Sequence, residues 1–152
     1  MTQQPSTPPA PEDPHRSVTL SRIGERRYRA DNGRGGETFM GAGGLDPDFT
    51  PVELLLAAIA GCSAVDVDII TGRRSPATSF EVTCEGEKVR EDDGNRLRDL
   101  RVTFDVTFPD DEAGHSARAE METALRLTRD RLCSVSRTVA LGTPVEFRDA
   151  SA

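Results

Sequence analysis

The feature that most constrains the fold of this chain is one long apolar segment, "TPVELLLAAIAGCSAVDVDII", at residues 50–70. Thr50 and Glu53 form the T-x-x-E pattern of a capping box, and Pro51 suits the first position of a helix. Gly72 suits the left-handed residue that follows a helix. The pattern therefore predicts a helix that begins at Pro51 and ends just before Gly72.

The middle of this helix, from Leu54 to Val65, is apolar or small on every side, which predicts a helix surrounded by protein. Glu53, Asp66 and Asp68 limit the uncharged run to fewer than the roughly 18 residues that span a bilayer, so we expect no membrane span. One thin sheet with few helices can hardly enclose such a helix. Part of its surface should therefore meet a second copy of the chain, which predicts a homodimer.

Strand patterns flank the central helix on both sides. The segment from Ser17 to Met40 is typical of a hairpin that turns at "DNGRGG". The segments "SFEVTCEGEKVR" at 79–90 and "LRDLRVTFDVTF" at 97–108 alternate apolar and polar residues, which predicts a half-buried antiparallel hairpin.

The last third of the chain has helical spacing. Residues 111–133 predict one amphipathic helix, whose apolar positions are Ala117, Met121, Ala124, Leu125 and Leu132. The stretch "SVSRTVALG" predicts a short helix stopped by a glycine, and "TPVEF" predicts a final strand. This order of elements predicts an α+β domain in which helices pack on antiparallel sheet.

Composition narrows the class of protein. Residues 1–15 are rich in proline and poor in core-forming side chains, so we expect a disordered tail before one domain at 16–152. The net charge of −7 argues against a nucleic-acid surface. Three cysteines without a C-x-x-C pair, and only His15 and His115 as histidines, argue against a four-ligand zinc site. The odd cysteine count and the lack of a signal-peptide pattern predict the reducing cytoplasm.

The three cysteines differ in context. Cys84 shares the apolar face of its strand with Phe80 and Val82, and a buried cysteine packs as a small hydrophobe. Without further information, Cys62 and Cys133 would also be interpreted as buried cysteines that pack in the core. Their spacing cannot decide whether they meet, because a disulfide requires Cα atoms within about 7 Å.

The segments around these two cysteines, "TPVELLLAAIAGCSAVDV" and "LCSVSRTV", resemble the OsmC/Ohr family of osmotically inducible and organic hydroperoxide resistance proteins. The likeness runs from about Ser17 to Arg148. It implies an OsmC-like α+β fold with an antiparallel sheet and a buried central helix, in an intertwined homodimer. It also implies a thiol peroxidase that reduces organic hydroperoxides without a metal or other cofactor.

By this resemblance Cys62 is the peroxidatic cysteine, which attacks the peroxide oxygen and becomes a sulfenic acid. Cys133 is the resolving cysteine, which condenses with that sulfenic acid to a disulfide. A dithiol of the lipoyl type would then reduce the disulfide by exchange. An apolar surround suits an organic hydroperoxide, but it also raises the pKa of a thiol, so a cation should offset it.

The resemblance places that cation at Arg34, in the glycine-rich turn "NGRGG". A loop arginine is more often simply solvated. Arg137 is the alternative, because it follows Cys133 by four residues and would share its helical face.

The sequence departs from the family pattern at the carboxylate that holds the arginine. Well-studied peroxidases have a glutamate ten residues before the peroxidatic cysteine, and here Val52 occupies that position. Glu53 falls roughly opposite Cys62 on a straight helix, which favours its capping role. Asp66, one turn beyond Cys62, could orient an arginine or could be an ordinary interface or solvent-facing aspartate.

Three hypotheses follow for function. The first is a cysteine peroxidase in which Cys62 attacks and Cys133 resolves. The alternative is a non-peroxidase OsmC-like dimer that binds a small apolar or electrophilic ligand and whose cysteines sense redox state. The third is a purely structural pair of buried cysteines. Substitution of Cys62 by serine separates the three.

Overall fold

The computed structural model of the chain describes residues 13–151. These residues form an α+β fold with antiparallel sheets and three α-helices, as the sequence predicted. The chain divides into two compact units, one ending at Pro51 and the next beginning at Val52. Most of the predicted disordered tail, residues 1–12, lies outside the described residues, and residues 13–15 are in neither helix nor strand. The single domain predicted for 16–152 stays a prediction.

The first unit contains a three-stranded antiparallel sheet in the order β1-β2-β3, with strands Thr19–Gly24, Arg27–Asp31 and Glu37–Met40. The predicted hairpin turn at "DNGRGG" is confirmed, because Asp31 pairs with Glu37 on either side of it. A second turn, between β1 and β2, was not predicted. It contains Arg26 at a φ of 54°, where the left-handed backbone has none of the glycine or asparagine that usually marks such a turn.

The second unit contains a two-stranded antiparallel sheet, β4 at Ser79–Glu91 and β5 at Gly94–Thr107. This hairpin confirms the prediction. Phe80 pairs with Val106 and Cys84 with Val102, so the apolar residues of both strands share one face.

Helix α1 spans Pro51–Gly72, which confirms the predicted start at Pro51. The predicted left-handed residue at Gly72 is wrong, because Gly72 is the last residue of the helix and its φ is not positive. It buries one stripe of residues spaced by four, namely Ile59, Ser63, Val67 and Thr71. Val67 belongs to the core cluster with Val106 of β5 and with Met121 and Ala124 of the next helix. By length and composition alone α1 could cross a membrane, a test that the core helices of soluble proteins also pass. The expectation of no membrane span stays a prediction.

The predicted single helix over residues 111–133 is wrong in its C-terminal part. Helix α2 spans Glu112–Leu127 and gives way to a π-helical turn at Thr128–Leu132, and α3 follows at Ser134–Leu141. Ala117, Met121 and Ala124 are buried as predicted, but Leu125 and Leu132 are 38% and 46% exposed. Leu132 lies in the π-helical turn, whose wider geometry breaks the helical spacing that predicted its burial. Leu125 precedes this turn and is exposed on α2 itself.

The predicted final strand "TPVEF" is also wrong, because residues 143–149 are in neither helix nor strand. Val145 and Phe147 are 74% and 91% exposed. Their alternation is correct for a strand, but a strand also requires a partner strand, and none of the described strands pairs with this segment.

Candidate functional site

Helix α1 and the start of α3 bring the two cysteines of interest together. The Sγ atoms of Cys62 and Cys133 and one carboxylate oxygen of Asp66 all lie within 4.8 Å of one another. Cys62 and Asp66 are four residues apart on α1 and therefore share a face, whereas Cys133 comes from the far end of the sequence. The structure thus unites the two cysteines that spacing alone could not place.

The π-helical turn positions Cys133. The Cys133 N–H donates to the Thr128 carbonyl at 3.0 Å, which is the five-residue bond of a π turn. Cys133 then leaves the helical conformation, with φ −69° and ψ 100°, and becomes the N-cap of α3. Its Sγ accepts a hydrogen bond from the Ser136 N–H at 3.4 Å, in the place where serine or aspartate usually caps a helix.

Cys133 is fully buried, at 0% exposure. Burial alone raises the pKa of its thiol, but hydrogen bonds from Ser136, Ser63 and Cys62 outweigh this effect and leave the pKa below its usual value. The Ser63 hydroxyl lies 3.5 Å from the sulfur. These donors stabilise a thiolate at Cys133.

Cys62 is only partly buried. Burial raises the pKa of its thiol, and the neighbouring Cys133 raises it further. The backbone N–H groups of Val135 and Ser134, at the start of α3, oppose this shift without cancelling it. The more acidic thiol of the pair is therefore Cys133, while the more accessible one is Cys62.

Asp66 occupies the third corner of the cluster. Its Oδ2 atom is buried and has no hydrogen-bond partner among the described residues. Burial raises the pKa of this carboxyl above its usual value. The sequence placed Asp66 on the face of Cys62, but it did not show that both sulfurs would approach its carboxylate.

The two candidate arginines lie in different settings. Arg34 is exposed in the β2–β3 turn of the first unit, where its backbone N–H donates to Asn32 Oδ1 at 2.9 Å. Arg137 Nη1 donates to the Asp130 carbonyl at 2.6 Å, and its side chain is exposed. The assignment of Arg34 as the cation that supports Cys62 stays a prediction, and so does the alternative of Arg137.

The remaining candidates lie outside the cluster. Glu53 is in the first turn of α1, which fits its predicted place at the helix start. Cys84 is partly buried on β4, where burial and, to a lesser extent, Glu85 raise the pKa of its thiol. Cys84 thus provides an internal control for the reactivity of the other two cysteines.

A cavity of about 560 Å³ lies behind Cys133. Ser63 and Ser136, which both donate hydrogen bonds to the Cys133 sulfur, form part of its wall. The rest of the wall consists of the apolar side chains of Leu100, Val102, Phe104 and Leu125 and the polar or charged side chains of Glu122, Arg126, Thr128 and Arg129. The sequence alone could not identify this cavity, because it forms only when α1, β5, α2, the π-helical turn and the start of α3 come together.

Comparison with known proteins agrees with this fold. A family model described as "OsmC-like protein" matches residues 42–148. An uncharacterized protein of Mycobacterium tuberculosis is 28% identical over 129 residues, which cover 84% of this chain and 91% of the relative. These matches confirm the resemblance drawn from the two cysteine segments.

Solved structures resemble the chain at lower identity. An OsmC-like protein from Mycoplasma pneumoniae superposes with a TM-score of 0.63 at 16% identity, over 85% of this chain and 89% of that one. The organic hydroperoxide resistance protein OhrB of Bacillus subtilis superposes with a TM-score of 0.51 at 14% identity, over 82% and 90%. At these identities the likeness shows the shared fold.

Proposed function

We propose that this chain, which belongs to the OsmC-like protein family, is a dithiol peroxidase. Its substrates in this proposal are organic hydroperoxides. The observation that carries the proposal is the approach of the Cys62 and Cys133 sulfurs to within 4.8 Å. Two thiols this close can pass from dithiol to disulfide with little movement of the backbone. Such a pair provides the two electrons that reduction of one peroxide bond consumes.

The first step begins with the proton that the two sulfurs share. Cys62 S–H transfers its proton to the Cys133 thiolate, to which it is hydrogen-bonded. The Cys62 thiolate attacks the distal oxygen of R–O–O–H, the O–O bond breaks, and the alkoxide leaves and takes up a proton as the alcohol. Cys62 becomes a sulfenic acid, oxidised by two electrons.

The second step forms the disulfide. The Cys133 sulfur attacks the sulfenic acid at Cys62, an S–S bond forms, and hydroxide leaves as water after it gains the Cys133 proton. The burial of Cys133 favours this role, because hydroperoxide reaches the partly buried Cys62 more easily.

Reduction by an external dithiol completes the cycle. The reductant attacks the more accessible sulfur, Cys62, and releases Cys133 as the leaving thiolate. A leaving thiol with a low pKa speeds exchange, and Cys133 has a lowered pKa because of its hydrogen bonds. A second thiol of the reductant then displaces Cys62, and the reductant leaves as its own disulfide.

We also infer that the protein is a homodimer. Several apolar side chains of α1 lie outside its buried stripe and are exposed, including Leu55, Val65 and Ile69. A second copy of the chain would cover them, and the exposed segment "TPVEF" would find a partner there. Sedimentation that gives a monomer at micromolar concentration would contradict this inference.

A second candidate function rests on the cavity beside Cys133. Its apolar wall and its size suit a small ligand, since ligand sites in proteins are commonly apolar cavities of about 300–1,000 Å³. In this alternative the protein binds a small apolar or electrophilic molecule, and oxidation of the cysteines reports redox state without turnover.

Turnover assays of three cysteine variants separate these functions. The assay follows the loss of cumene hydroperoxide with dihydrolipoamide as the reductant. Cys62→Ser should abolish turnover, Cys133→Ser should allow a single oxidation of Cys62 without the disulfide, and Cys84→Ser should match the wild type. Wild-type turnover by Cys62→Ser would overturn the peroxidase, and a wild type without turnover that still binds an apolar ligand would support the alternative.

A further inference from the structure

We propose that Cys62, Cys133 and Asp66 form a binding site for a thiophilic divalent cation of the Zn²⁺ type. The cysteine and histidine content of the sequence argues against a four-ligand zinc site. It does not exclude a site with two thiolates, one carboxylate and an open fourth position, which is the composition that this cluster presents. The inference stands on the geometry of the cluster and does not depend on peroxidase turnover.

The three ligand atoms are already near the spacing that the ion requires. Tetrahedral zinc with Zn–S bonds of about 2.3 Å holds two sulfur ligands about 3.8 Å apart, and sulfur and oxygen ligands slightly closer. The sulfurs of Cys62 and Cys133 and the carboxylate oxygen of Asp66 lie within 4.8 Å of one another. Each atom therefore needs to move by about 1 Å or less, a change within reach of side-chain rotation.

The backbone supports this arrangement from two directions. Cys62 and Asp66 are one turn apart on the same face of α1, as paired ligands on a helix are. Cys133 approaches from the N-cap of α3, and its position is fixed by the π-helical turn. The ligands thus come from packed elements rather than from a mobile loop.

Asp66 provides an independent sign of a ligand. Its Oδ2 atom is buried without a hydrogen-bond partner among the described residues, which is costly for a polar atom in a folded protein. A cation bound by the Asp66 carboxylate would give this buried group a partner. Cys84, the third cysteine, lies on β4, where it pairs with Val102 of β5. It does not belong to the cluster, so it cannot substitute as a ligand.

Neighbouring donors complete the site. The Ser63 hydroxyl and the Ser136 N–H both donate to the Cys133 sulfur, at 3.5 and 3.4 Å. Such hydrogen bonds to a metal-bound thiolate orient the ligand and reduce its charge. Binding of Zn²⁺ displaces the proton that the two sulfurs share, and the two thiolates and the carboxylate then leave the site with one net negative charge.

A bound ion would have a direct consequence for redox chemistry. It occupies both sulfurs, so that neither can attack a peroxide. Conversely, oxidation of the dithiol to a disulfide removes two of the three ligands and releases the ion. Metal binding and oxidation of the dithiol are therefore mutually exclusive.

The first test measures Zn²⁺ binding to the reduced, metal-free full chain against a chromophoric chelator. We expect one Zn²⁺ per chain for the wild type and for the matched control Cys84→Ser. Cys62→Ser and Cys133→Ser should bind Zn²⁺ at least about tenfold more weakly, because loss of a ligand should cost no less than loss of a group that only supports a ligand. Asp66→Asn should also bind Zn²⁺ more weakly. Wild-type affinity in Cys62→Ser, or loss of binding in Cys84→Ser, would overturn the proposal.

A second test uses only the wild-type chain and so does not depend on the folding of variants. Alkylation with iodoacetamide, mapped by mass spectrometry, should be slowed by Zn²⁺ at Cys62, the accessible cysteine of the pair, and unchanged at Cys84. An alkylation rate at Cys62 that is the same with and without Zn²⁺ would contradict the site.

The two proposals can fail separately. Turnover of hydroperoxide by a protein that binds no Zn²⁺ overturns the metal site alone. One bound Zn²⁺ per chain in a protein without turnover overturns the peroxidase alone and leaves the metal site supported.

Discussion

The Ser63 hydroxyl lies 3.5 Å from the Cys133 sulfur and 2.8 Å from the Ile59 carbonyl oxygen, and its one proton is shared between these two acceptors. This contact joins the buried stripe of α1 to the N-cap of α3. It couples the packing of the central helix to the acidity of the buried thiol, because a donor to sulfur stabilises the thiolate.

Substitution Ser63→Ala should make Cys133 less acidic. The variant removes one donor to the thiolate, so the pKa of Cys133 should rise and thiolate absorbance should appear at higher pH than in the wild type. Turnover at neutral pH should slow, while the free energy of unfolding changes by only about 1 kcal/mol. The control is Ser79→Ala, an exposed serine that bonds to Thr107 on the two-stranded sheet. An unchanged titration curve in Ser63→Ala would contradict the role of this hydrogen bond.

Substitution Asp66→Asn should stabilise the metal-free protein at neutral pH. Burial raises the pKa of Asp66 in the folded state above the usual 3.8, so the folded chain holds a proton that the unfolded chain has released. Wild-type stability therefore falls as pH rises from that usual value through the raised one, whereas asparagine has no such loss. The stability gap between the two proteins should close at acidic pH.

Thermal unfolding across pH in a chelating buffer measures this gap. The control is Asp68→Asn, whose exposed side chain stays solvated in the folded state. A wild type that is more stable than Asp66→Asn at neutral pH would mean that the carboxylate has a stabilising partner.

Substitution Met121→Ala should destabilise the second unit. Met121 packs in the core cluster with Val67, Val106 and Ala124 and is 8% exposed, so truncation leaves a cavity. We expect a loss of about 2–5 kcal/mol in the free energy of unfolding, measured in urea. Leu45→Ala, at a fully exposed position, should change it by less than about 0.5 kcal/mol. Equal effects of the two substitutions would contradict the assignment of the core.

The sequence predicted those parts of the fold whose signals are local. Pro51 and Gly72 mark the ends of α1, and the period-two alternation of β4 and β5 marks their hairpin. Prediction from the sequence failed for segments whose structure depends on partners far away in the chain. The segment "TPVEF" alternates like a strand but pairs with no described strand, and the turn at Arg26 carries no residue that signals it.

The candidate site was likewise predictable from the sequence only in part. Resemblance singled out Cys62 and Cys133, but the π-helical turn that brings Cys133 to α1 has no sequence signature. The lowered pKa of Cys133 depends on donors from Ser63 and Ser136, which only the folded chain brings together. The cavity behind Cys133 is likewise formed by side chains of five elements and could not be derived from any one of them.

The most direct test of the central claim is a mass-spectrometric map of the three cysteines after one equivalent of cumene hydroperoxide, compared with one equivalent of hydrogen peroxide. The account predicts a Cys62–Cys133 disulfide that forms faster with the organic peroxide, with Cys84 still free to react with iodoacetamide. Oxidation of Cys62 without a bond to Cys133, or a disulfide that includes Cys84, would contradict it.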